Sequence, residues 1–233
     1  MRTFSRVMLI ALLSTMTATA FADGCTTTGG YQQGDHYFGK TQCQKADLSQ
    51  LMVNGQLNIN QVKVNNDAIF NGTVEGYDLL IKGSLTINGK TTLNKVKVLG
   101  ATIIHGQTTL SDANLQNLKV NGKLIASGSQ FADTTVNGSV NLRDIVIKGN
   151  LTASTDLAVL NGVNVQSIQM TNSQPKKSQT VCLEKASHVQ GDIHFEAGNG
   201  VVYTSGASKM MGHVTGGKVI EGACPNQSDV MIQ

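Results

Sequence analysis

Three carboxylates occupy one position of a repeat: Asp78, Asp112 and Asp144 each stand six residues after a glycine of a near-periodic series. Carboxylates on neighbouring coils of a β-structure could cleave a glycosidic bond, one protonating the leaving oxygen and the other activating water. The full column reads Gln61, Asp78, Lys95, Asp112, Gly128, Asp144. Asp78 and Asp112 are two repeats apart, about 9.6 Å at the spacing of stacked strands, the outer edge of the inverting-enzyme range. Lys95 lies between them, and a column of alternating charge relieves like-charge stacking. A structural column is the expectation, with catalytic carboxylates as the secondary reading.

Other chemistry-bearing residues are sparse. His188, His194 and His213 lie near the C-terminus. The echo between Ser187-His-Val-Gln-Gly191 and Ser208-Lys-Met-Met-Gly212 sets His188 over Lys209 and Asp192 over His213. The three imidazoles then do not converge, and no metal or other cofactor is expected. Cys25, Cys43, Cys182 and Cys224 lack the close spacing of a zinc site. Four cysteines allow three pairings; Cys25–Cys43 and Cys182–Cys224 are favoured because each pair brackets a terminal module. Tyr31, His36, Tyr37 and Phe38 concentrate aromatic character in a chain with no Trp, four Tyr and six Phe. They are expected to cap one end of the fold, with a binding loop as the alternative.

These side chains are positioned by a repeat. Gly55, Gly72, Gly89, Gly106, Gly122 and Gly138 are separated by 17, 17, 17, 16 and 16 residues, the mark of a solenoid. Apolar residues recur two before each glycine and two, four, seven and nine after it, in pairs two apart, which is strand periodicity. Eleven positions after the glycines stand Asn66, Gly83, Gly100, Asn117, Asp133 and Gly149, all residues that tolerate left-handed backbone at a corner. The expected fold is all-β: a single-stranded parallel β-helix with three short strands per coil of about 17 residues.

Residues 1–22 read as a secretory signal peptide, with Arg2 and Arg6 before an apolar core and Ala20-Phe-Ala22 at the cleavage site. Loss of those two arginines lowers the formal charge from +3 to +1, so neither nucleic acid nor an anionic membrane surface is an expected partner. No membrane span is expected after leader removal. Residues 23–50 read as a disulfide-bounded cap, 51–170 as the β-helix, 171–180 as a polar linker, 181–224 as further β coils and 225–233 as a tail.

The Val-Asn-Gly and Ile-Lys-Gly corners, as in Ile81-Lys-Gly-Ser-Leu-Thr-Ile-Asn-Gly89, resemble those of bactofilin-like, polymer-forming β-helix proteins over roughly residues 51–150. The resemblance implies a right-handed helix and end-to-end self-assembly. Those proteins are usually cytoplasmic, whereas this chain has a leader and cysteine-bounded ends. The function expected is that of a secreted, periplasmic or extracellular, non-enzymatic scaffold. Its partner would be another copy or an envelope or host-surface macromolecule, a glycan among them. The alternatives are a carbohydrate-binding or polysaccharide-cleaving β-helix and a secreted host-interaction factor.

Overall fold

The computed structural model describes residues 24–171 and 177–225. The expected leader, the middle of the expected linker and most of the expected tail lie outside the described residues. The fold is all-β, a parallel β-solenoid of about 11 turns with about 17 residues per turn.

The chain enters through a hairpin. Strand β1 (Gly24–Gln33) runs antiparallel to β2 (His36–Leu48), and β2 then lies parallel to β3 (Leu51–Val64), which lies parallel to β4 (Ala68–Ile81). Every later pairing is parallel and joins a residue to its counterpart one coil on, as in Thr108↔Leu124 and Leu110↔Ala126. Strands such as β3 run through corners that the sequence suggests should break them. The stack does not stop at the polar stretch 171–180: Leu157–Asn161 pairs in parallel with Thr180–Glu184, and Ile168–Met170 with Ile193–Phe195. The coils on either side of that stretch are direct neighbours.

Alternation puts every second side chain inside. The rows two, four, seven and nine residues after each glycine and two before it are core, from Val53 and Phe70 to Leu142 and Ile147, with only the half-buried Gly76 departing among them. A sixth buried row, four residues before each glycine, runs Leu51, Ala68, Leu85, Thr102, Leu118 and Thr134, and Leu151 continues it by pairing with Thr134. Its threonines hide it from a hydrophobic pattern. The polar core residue Ser129 serves as a connector: its Oγ accepts from Ala113 N at 2.9 Å and donates to Ser127 O at 2.8 Å.

The buried hydroxyls of Thr91, Thr102, Thr108 and Thr134 have no hydrogen-bond partner among the described residues. A buried polar atom without a partner keeps its desolvation cost, and an isosteric apolar group removes it. Thr91→Val is therefore expected to stabilise the protein by about 1 kcal/mol, read as a higher denaturation midpoint in urea.

The corners correct one expectation. None of the residues eleven after the glycines, Asn66 to Gly149, has left-handed backbone. The left-handed column lies six after them: Gln61 (φ 57°), Asp78 (56°), Lys95 (52°), Asp112 (50°), Gly128 (58°) and Asp144 (52°). The Gly, Asn and Asp at the other corner answer to crowding and to side-chain bonding instead. A Cβ on Gly100 would lie 2.6 Å from Gly83 O, and the Asp133 carboxylate accepts from Asn150 N of the next coil at 2.9 Å.

Cys25 pairs with Cys43 and Cys182 with Cys224. The first bridge joins opposed residues of the β1–β2 hairpin. Cys182 belongs to an outward row with Asn141, Val159 and Tyr203, yet it is fully buried, because the segment carrying Cys224 folds back over that face. Two disulfides belong to an oxidising, non-cytoplasmic compartment. Among the described residues no helix is long and apolar enough to cross a membrane.

Candidate functional site

Each coil has three faces, on β3 the stretches 51–54, 56–60 and 62–64, and the aspartates stand on the left-handed corner that joins the second to the third. Left-handed backbone is tolerated by Asp and Asn better than by most side chains, which accounts for part of the column's composition. Within it Asp78 is followed by Lys95, Lys95 by Asp112, Asp112 by Gly128 and Gly128 by Asp144, so no two of the three carboxylates sit on adjacent coils. Lys95 does not bridge the aspartates: its Nζ donates to the Tyr77 hydroxyl at 2.6 Å and lies 4.9 Å from the centre of that ring. That hydroxyl holds the Lys95 ammonium above its ordinary pKa, with Asp78 and Asp112 adding to the effect and desolvation opposing it. Tyr77 is an outer-row residue one step before the column, and only its adjacency to Lys95 on the next coil could have signalled the contact.

The expected binding loop is a hairpin, and its four residues separate. Tyr37 faces inward over Val53 and is buried. That burial, with the Asp35 charge, raises its hydroxyl pKa. Phe38 and Tyr31 face outward as opposed residues of the hairpin, with ring centroids 4.4 Å apart and planes 14° from parallel. Tyr31 is 59% exposed. His36 stands over Met52 on the outer surface of the first face.

Below Phe38 the outer corner of each coil carries an amide. Asn71 Nδ2 donates to Asn54 Oδ1, Asn88 Nδ2 to Asn71 Oδ1 and Asn137 Nδ2 to Asn121 Oδ1, each at 2.7 Å. His105 takes the Asn position on one coil, its Nδ1 3.0 Å from Asn121 Nδ2. This ladder spends its donors and acceptors within the protein, as stacked Asn rows do.

The C-terminal histidines follow the register read from the echo: His188 pairs with Lys209, and His213 N donates to the Asp192 carboxylate at 2.8 Å. His194 Nδ1 is 2.7 Å from Thr215 Oγ1. Among the described residues no group of three or more His, Cys, Asp and Glu is placed to hold a metal ion.

No family model, curated protein or solved structure matches this chain. The fold sets its class, that of the all-β parallel solenoids.

Proposed function

We propose that the protein is a secreted, non-enzymatic scaffold, working as a structural or adhesive rod at or outside the bacterial cell envelope. The observation that carries this reading is the aspartate column. Its carboxylates alternate with Lys95 and Gly128, so none has a second carboxylate on the adjacent coil, near the spacing of a retaining pair, and those two coils apart, at about 9.6 Å, stand just outside the inverting range. The rest of the surface consists of regular outer rows on rigid faces, an arrangement suited to extended contact with another macromolecule. Two disulfides and the leader read in residues 1–22 support export.

The test replaces Asp78, Asp112 and Asp144 together by Asn, which keeps the left-handed corner populated by a tolerant residue. The triple variant is expected to retain the wild-type melting profile and the same distribution between envelope and medium fractions. Polygalacturonate and alginate should release no reducing ends with either protein. Turnover by the wild type that is lost in a folded triple variant would overturn the proposal in favour of a polysaccharide-cleaving β-helix.

A further inference from the structure

We propose that a groove on the second face of the first three full coils binds an extended, uncharged oligosaccharide; this rests on the scaffold reading and names its partner. The groove encloses about 330 Å³. Its walls are two outward rows, Lys40–Gln56–Thr73 and Gln42–Asn58–Glu75, held in register by the β2–β3 and β3–β4 ladders. The residues between the rows point into the core, so backbone forms the floor.

The occupant follows from what these side chains lack. None of the six side chains has a hydrogen-bond or ion-pair partner among the described residues. The Asn ladder around the glycine corner has its amides bonded to one another, whereas those of Gln42, Gln56 and Asn58, gathered on two successive coils of the groove, stay open. A carboxamide donates and accepts at once, which is what a sugar hydroxyl requires. Coils repeat every 4.8 Å or so, close to the length of one pyranose along an extended chain, so successive rings meet Gln42, then Gln56 and Asn58, then the Thr73 hydroxyl and the Glu75 carboxylate. Lys40 and Glu75 offset each other, which favours a neutral or N-acetylated chain over a polyanion. At the end of the groove bordered by β1, across the glycine corner from Lys40, the exposed Tyr31 stacked on Phe38 presents an aromatic platform for a sugar ring. A peptide would instead seek unpaired backbone at a sheet edge, whereas the amides and carbonyls of this floor are already spent between coils.

The experiment titrates the full chain with chitohexaose, cellohexaose and maltohexaose by calorimetry, alongside Gln56→Ala/Asn58→Ala, Tyr31→Ala and, on the third face, Lys97→Ala. The expected result is saturable binding of at least one sugar. Affinity should fall at least about tenfold in the double variant and measurably in Tyr31→Ala, with unchanged melting profiles and an unaffected Lys97→Ala. Failure of all three sugars to bind, or equal affinity in the double variant, overturns the groove while leaving the scaffold reading to its own test. Saturable binding of an extended hexapeptide in place of the sugars, lost in the double variant, also overturns it. Release of reducing ends from a bound sugar would uphold the groove and overturn the non-enzymatic reading instead.

Discussion

Gly89→Ala is expected to destabilise the protein by at least about 3 kcal/mol, enough to leave much of the chain unfolded at ordinary temperature. Two independent faults add. The glycines that set the period have φ between 134° and 145° from Gly55 to Gly138, a region an L side chain rarely enters. A Cβ at Gly89 would also overlap the Gly72 carbonyl of the preceding coil. That obstacle is backbone already fixed in the stack, so no side chain can turn aside to relieve it. Moving the coil away would strain the ladder on its other side, where Gly89 N donates to His105 O at 2.8 Å. The neighbouring exposed Lys90→Ala serves as the control and should shift the urea midpoint little. Equal stability of the two variants would show that the glycine column tolerates a side chain after all.

That column explains what could be read from the chain alone. A solenoid repeats the same steric demand at each turn, so the demand is printed in the sequence as a period, and five inward rows stand out as pairs two residues apart. The sixth row escapes because Thr102 and Thr134 interrupt its leucines. The left-handed corner was misplaced for a related reason. Gln61 and Lys95 adopt left-handed backbone there against their own preference, held by ladders on both sides, while Gly83 and Gly100 mark a place where coils crowd rather than one where φ is positive. The aspartate column was visible as a column, because it depends only on the period. The Lys95–Tyr77 contact and the open amides of the groove were not, since they depend on which side chains bond across coils and which are left without partners.

Phe195→Ala is expected to cost about 3–5 kcal/mol, the range for emptying a large aromatic site. The ring is buried close to the C-terminal end of the stack, on the strand that pairs with Met170. It fills a niche made by two glycines in register on successive coils, Gly200 and Gly217. A Cβ on Gly200 would enter the ring, and one on Gly217 would come within 2.8 Å of it. With hydrogens lining the niche on that side, truncation leaves space that no neighbouring side chain from the glycines can refill, so the cavity term is felt in full. The same geometry predicts coupling. Gly200→Ala should be strongly destabilising in the wild type but close to neutral beside Phe195→Ala, because the added methyl then occupies vacated volume. Neighbouring coils interact only with each other, so the loss should be local. Hydrogen exchange is expected to quicken in the strands Gly200–Thr204 and Gly217–Glu221 while β3 and β4 keep their protection. Additive costs in the double variant would mean that the ring and the glycines do not share one niche. Uniform loss of protection along the rod would mean that the solenoid unfolds as a single cooperative unit.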